Sequence, residues 1–555
     1  MATTKPETPR AARLARASAC ASGLALLTIA AAARTATAPP VGPTPAASAV
    51  ATDNAELASQ GDKRNTAARA ATASPVEPTL AVSAVATDNA RLASQGDKRK
   101  DVIGEVNAGI IVRSRGARVT ILGNAGLDFF GYARDSEAAR VLPRGHLDLN
   151  SMLVEQFLYF DGALSASRTR ADPLAAQSET STSNTVSTVS LRASPYIEHD
   201  FSPTLSTRLR SDTTVTRNHT DNAGVAPNGS TYQHDVFALV RKPTPFGMQI
   251  DGLHEDTTYQ GDSASVLKTD SLQATLLAAP ATDLMLGVIG GRERAVYGGT
   301  THDDTTYGGV LRWRPSPRTA LDLGAQHHYF GTGFNLHLHD RLPRSTIDFS
   351  LTRAVQASPV TFGLNGADRD PALLLGALLS SRTPGLPNSD QAVDDLMLTR
   401  NLPGEFAQPQ QITSESAQLA TRAQLNLLYS APRNTFYASG WYVKATTLPG
   451  SVTVTPGLTF DSRQWGGSLG LYHRMTPQLS AAAEIEWSRI EALGARMGDS
   501  QHQFAGTLSL TQRLGPRTTL SAGLRHFASH VVLDSTSTNS EVRENQAFAG
   551  LRVQY

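Results

Sequence analysis

Histidines and carboxylates are the side chains of this 555-residue sequence best suited to chemistry, because its only cysteine is Cys20. His327-His328 and the LHLHD run with His337 and His339 are metal ligands by type. On an extended strand successive side chains point to opposite faces, so His327 and His328 cannot converge. His337 and His339 share a face, but no third ligand stands at a fixed spacing from them. There is no P-loop, no cysteine pair, no HExxH and no nucleophile elbow. Ser, His and Asp are frequent enough to combine by chance, so no catalytic residue is assigned. No metal and no cofactor are called for.

Charged residues on alternating strand faces are more informative. RVTILGNAGLDFF, TALDLGAQHHYF, LSAAAEIEWSR, QWGGSLGLY and QAFAGLRVQY all alternate apolar and polar residues with a period of two. Asp128, Arg312, Arg314, Asp322, Glu484, Glu486, Arg525 and Arg552 fall on the polar faces. Their mixed signs suit a hydrated surface without a filter of one sign; cross-strand pairing is the plainer alternative for each. Trp313, Tyr329, Trp441, Tyr442, Trp465, Trp487 and Tyr555 lie at strand ends, as an interfacial aromatic girdle would.

The elements carrying these residues are strands of roughly ten residues, long enough to cross a membrane when tilted or to pack as a sandwich. Short, proline-bearing turns (DFSPT, RKPTPF, RPSPRT, DRLPRS, SAPRN, RMTPQ, RLGPRT) alternate with longer polar ones such as RADPLAAQSETSTSNT and HTDNAGVAPNGST. Sorting connections by length at every second position is the pattern of an up-and-down outer-membrane barrel. Counting back from Tyr555 gives 21 strands to residue 102. A closed bacterial barrel takes an even number, so TLAVSAVATDNARLA (79–92) completes 22. The expected fold is therefore all-β, a transmembrane antiparallel barrel over 79–555.

Lys5, Arg10, Arg13 and Arg16 precede a short apolar run ending in small residues, the order of a secretory signal over 1–38. Residues 39–78 are rich in Ala, Thr and Pro and read as a leader without a core. SAVATDNAELASQGDKR (48–64) recurs as SAVATDNARLASQGDKR (83–99), a tandem copy at an offset of 35. Residues 357–410 break the strand pattern: DPALLLGALLSS and SDQAVDDLMLTRNLP have helical spacing. This insertion leaves on the long-loop side, and its apolar face is expected to fold inward or pack on the rim. A formal net charge of +1 argues against a nucleic-acid partner.

TDNARLASQGDKRKDVIGEVNAGI, SRGARVTILGNAGLDFFGYAR, HLDLNSMLVEQFLYFDGALSAS, FNLHLHDRLPRSTIDFSLTRAV and QAVDDLMLTRNLP together resemble outer-membrane β-barrel proteins linked to PEP-CTERM/exosortase exopolysaccharide systems. This family is a branch of the β-barrel porins, and the resemblance runs from about residue 80 to the C-terminus. Gly550-x-x-Val553-x-Tyr555 looks like a barrel-assembly signal, with Phe548 where a polar residue is usual. The resemblance implies a bacterial outer-membrane location and a genomic link to exopolysaccharide production. The partners it implies are outer-membrane lipid, the barrel-assembly machinery and polysaccharide export components. It supplies no catalytic residue and no settled solute. Three functions stay open: a hydrophilic passage, a non-conducting scaffold for surface-polymer machinery, and a barrel enzyme acting at the rim.

Overall fold

The computed structural model describes residues 76–94, 96–170, 172–176, 185–219, 229–260, 266–356, 374–376, 378–379, 393, 417–449, 461–534 and 538–554. The signal sequence at 1–38, most of the leader and Tyr555 lie outside them. The described residues contain no helix long and apolar enough to cross a membrane.

The strands are β1 (Val76–Thr87), β2 (Asp101–Arg115), β3 (Val119–Tyr132), β4 (Arg140–Val154), β5 (Leu158–Arg170), β6 (Thr185–Ser202) and β7 (Leu205–His219). Next come β8 (Gly229–Arg241), β9 (Phe246–Gln260), β10 (Val266–Ala281), β11 (Leu284–Tyr297), β12 (Thr300–Ser316), β13 (Thr319–His328) and β14 (Gly331–Arg341). The last are β15 (Ser345–Gln356), β16 (Gln418–Ser430), β17 (Asn434–Thr447), β18 (Ser462–Arg474), β19 (Leu479–Ala492), β20 (Ser500–Gly515), β21 (Thr518–Leu533) and β22 (Thr538–Gln554).

Each strand pairs antiparallel with the next, and β1 pairs with β22 from Thr79↔Gln554 to Thr87↔Gln546. That last pairing closes the sheet and removes both edges, so every strand has two hydrogen-bonded neighbours. The barrel therefore has 22 strands, with β1 starting at Val76 instead of residue 79. This earlier start lengthens the repeat. VGPTPAASAVAT (41–52) matches VEPTLAVSAVAT (76–87) at the same offset of 35, so the copied segment spans the whole of β1.

All connections at one end are short, from 116–118 and 155–157 through 431–433 to 516–517. The opposite end carries the longer ones, including 88–100, 171–184 and 357–417. Length sorting is not strict at that end. Gly298-Gly299 and Tyr329-Phe330 are two-residue turns, and β12 begins at Thr300. Gly298 and Gly299 have φ of 57° and 75°, the conformation a two-residue hairpin turn requires.

The faces alternate as a barrel wall requires. Val288 (68 % exposed), Leu508 (61 %), Leu276, Leu272 and Leu524 point outward. Their immediate neighbours Ile289, Thr275 and Leu277 are buried on the inner side. Outward charged pairs gather toward the long-loop end, among them His254–Asp270, Arg489–Glu491 and Arg543–Glu541. There the strands project beyond the apolar band.

Candidate functional site: the barrel interior

Inward side chains on β2 to β7 form two knots around carboxylates. The Asp128 carboxylate, fully buried, accepts from Asn107 on β2 and from Arg168 on β5 at 2.6 Å. Arg144 on β4 pairs with it at 3.2 Å. Asp212 on β7 takes Arg192 from β6 at 2.9 Å and Arg210 at 3.1 Å, and accepts from the Ser194 hydroxyl. Arg210 also reaches Asp161 on β5 at 3.1 Å, and Arg208 reaches Glu198 at 2.7 Å. Tyr159 and Tyr196 stack at 4.9 Å between these groups, and the Arg210 guanidinium lies 5.0 Å from the Tyr196 ring centre.

Farther round the wall, Asp322 on β13 pairs with Arg312 at 3.3 Å and Arg314 at 2.7 Å, both on β12. The register sets Asp322 directly opposite Arg312, so all three share one face. His337 and His339 both approach one oxygen of Asp348, at 3.1 and 3.0 Å. The two imidazoles are therefore occupied with a carboxylate, and the described residues contain no group of three or more ligands able to hold a metal. Glu484 accepts from the Tyr437 hydroxyl, and Glu486 follows on the same face of β19. Arg525 and Arg552 lie on the face opposite the exposed Leu524 and Leu551.

Cross-strand partners could not be read from the sequence. Arg208, Arg210 and Asp212 alternate within TRLRSD, which was the signal available for that knot. Arg144 and Arg168 gave none, because register places them beside Asp128. Two girdle aromatics point elsewhere. Trp441 is 5 % exposed on the inner face of β17, the same side as Tyr437 and Val443. Tyr329, in a turn outside the spanning strands, packs against Leu267, Ala295 and Tyr297; burial, aided by Glu293, pushes its phenol up. Trp313 and Trp487 do face outward. Of the assembly-signal residues, Gly550 lies inside and Val553 is paired to Leu80 and Thr518. Phe548 turns inward over Gly523, where a Cβ would meet its ring at 2.5 Å. The aromatic ring fills the space that the glycine leaves empty.

The interior is not an open tube. Leu374, Leu375 and Leu378 of the insertion are helical and buried, with Val393, against Leu428, Tyr437 and Tyr472. These three wall residues sit near the short-turn ends of β16, β17 and β18, although the insertion leaves from the long-loop end. Leu428 lies roughly 33 Å of strand below Gln418 at about 3.3 Å per residue. Thus the insertion descends through most of the barrel and presses its apolar face on the inner wall. Nearer the long-loop end, Leu174 from the β5–β6 connection packs on Val443, Ala445, Ile490 and Ala492, across the barrel from its own strands. Gln501 donates to the Ala175 carbonyl at 3.1 Å and holds this segment there. Leu92, from the β1–β2 connection, packs beside it on Phe527 and Val542.

A closed wall with an apolar outside and a polar inside cannot be stable in water, because its outer band would be an exposed apolar patch of unusual size. In a bilayer the same wall satisfies every backbone group within the sheet. An even strand count, both barrel ends at one rim and short turns on that rim define a bacterial outer-membrane β-barrel, which this chain is. No known sequence family matches it, and no curated protein does. Among solved structures it is similar to the ferric enterobactin receptor of Pseudomonas aeruginosa, at 11% identity over 86% of this chain and 81% of that one, with a TM-score of 0.44. It is similar to the ferric-catecholate import receptor Fiu of E. coli K12, at 9% identity over 86% and 81%, with a TM-score of 0.43. The vanillate-bound OpdK of Pseudomonas aeruginosa matches at 11% identity over 86% and 99%, with a TM-score of 0.32. Likenesses this weak carry nothing about what this chain moves or binds.

Proposed function

We propose that the protein is a hydrophilic passage across the outer membrane, restricted by its own inward-folded insertion. The observation that carries this reading is an inner face rich in charged pairs, around a segment that enters from the long-loop end and packs on apolar patches of that face. A barrel built only as a scaffold has no need of a solvated interior. The solute we assign is a polysaccharide or another hydrophilic molecule, on the resemblance to exopolysaccharide-linked barrels, with polysaccharide export components as partners. Insertion is assigned to the barrel-assembly machinery through Gly550, Val553 and Tyr555. The packing of Leu374, Leu375 and Leu378 favours a second reading, a plugged barrel that scaffolds surface-polymer machinery. Among the described residues no arrangement favours a catalytic role over these two.

Liposome swelling with neutral saccharides separates the readings. L375E/L378E places charge where both side chains are fully buried, and so loosens the insertion without touching the wall. Faster swelling in the variant than in the native protein supports a restricted passage. Identical, saccharide-impermeable liposomes with both proteins, each inserted and heat-modifiable, overturn it in favour of the scaffold.

A further inference from the structure

We infer that the short-turn mouth of the barrel carries a binding site for one small anion, built from Arg513, Arg517 and Arg552. Elsewhere in the lumen the arginines of the knots described above are neutralised by carboxylates. These three have no ion-pair partner among the described residues. Register brings two of them together: Thr519 on β21 is opposite Arg513 on β20 and opposite Arg552 on β22. At about 4.8 Å between strands, the two Cα atoms stand roughly 10 Å apart, within converging reach of two long guanidinium side chains. Arg517 belongs to the turn 516–517 that joins β20 and β21.

The three arginines line one cleft of about 40 Å³ together with Ser480, Thr511, Thr519 and Gln554. Among the described residues the lining includes no side-chain carboxylate, and its other polar groups are hydroxyls and amides that can donate. A buried water needs roughly 10–15 Å³ by the same kind of measure, so the space suits a single compact anion and not a polymer segment. Arg513 is already oriented. Its Nε donates to the Gly515 carbonyl at 3.2 Å and its Nη2 to the Pro516 carbonyl at 3.2 Å. Three of its five N–H groups remain for a ligand. Glu77, which accepts from the Gln554 amide, is also engaged by Arg113 at 3.2 Å.

Ser480, Thr511, Arg513, Arg552 and Gln554 all sit on the inner face, so membrane lipid does not reach the cleft. The ligand comes from the aqueous side: a carboxylate on a solute, or a free phosphate. Guanidinium groups recognise both through paired, charge-assisted hydrogen bonds. The site does not depend on conduction, and its test does not measure transport.

The test is calorimetric titration of the detergent-solubilised full-length barrel at low ionic strength, with inorganic phosphate in one arm and glucuronate in the other. Saturable binding of either probe, weakened about tenfold or more by R552Q and by R517Q, is the expected result. R513K retains most of the affinity and R433Q, at a different short turn, changes nothing. Tighter phosphate binding assigns a tetrahedral anion, and tighter glucuronate binding assigns a carboxylate. Absence of saturable binding in both arms overturns the site. So does binding that survives R552Q and R517Q in barrels that keep their heat-modifiable mobility.

Discussion

At the residue scale the two solvents of the wall can be told apart on one strand. Leu508 is 61 % exposed on the outer face of β20, and Thr507 beside it points inward. Arginine at the first position meets hydrocarbon; at the second it meets water and other charges. Leu508→Arg is therefore expected to lower stability by roughly 2–4 kcal/mol, the cost of arginine near a bilayer midplane. Thr507→Arg should change it by less than about 1 kcal/mol. Urea unfolding from lipid vesicles measures both, and equal costs would mean that the face assignment is wrong. The two-residue period made the inward side of Asp128, Arg312, Asp322 and Glu484 legible in the sequence. Their partners were not, because the register that sets Asn107 opposite Asp128 depends on strand pairing. Trp441 shows the limit of reading type and position alone. An aromatic near a strand end suits the interface, yet alternation with Tyr442 turns this one inward.

At the element scale, strand existence was nearly all readable and strand ends were not. β12 begins with a stretch, HDDTT (302–306), that is polar on both faces. The strand in fact continues past the apolar band, where Asp303 and Thr305 face outward into water. The Gly-Gly pair before it was the better signal. The insertion was legible as helical from its leucine spacing, but its depth was not. Only the wall residues it meets, Leu428, Tyr437 and Tyr472, reveal that it descends almost to the short-turn end. The repeat yields a prediction at this scale. Removing residues 48–82 joins VGPTPAA (41–47) to Ser83 and rebuilds β1 from the first copy, with Pro45 and Ala47 where Leu80 and Val82 stood. The barrel should still close, since β1 keeps its length and register. Removing 83–99 takes away Ser83–Thr87 and the connection to β2, and should prevent closure. Heat-modifiable mobility of outer-membrane fractions distinguishes the two. Loss of the folded form in the first deletion would show that β1 does not tolerate the copy.

At the scale of the whole molecule, closure is the organising fact. Parity of short and long connections required an even strand count, and the β1–β22 pairing supplies it. The wall then separates an apolar outside from a charged inside, and three segments from the long-loop end fold into that inside. Leu174 and Leu92 pack near the long-loop end while Leu374, Leu375 and Leu378 lie deeper, so any solute path winds past all three. Such a path carries little current until the largest obstruction is removed. Single-channel recording in planar bilayers, comparing the full chain with a variant lacking 357–410, tests this most directly. The account predicts small or intermittent conductance in the full chain and a large, steady one in the deletion. A deletion variant that inserts, stays folded and still passes no current would contradict it.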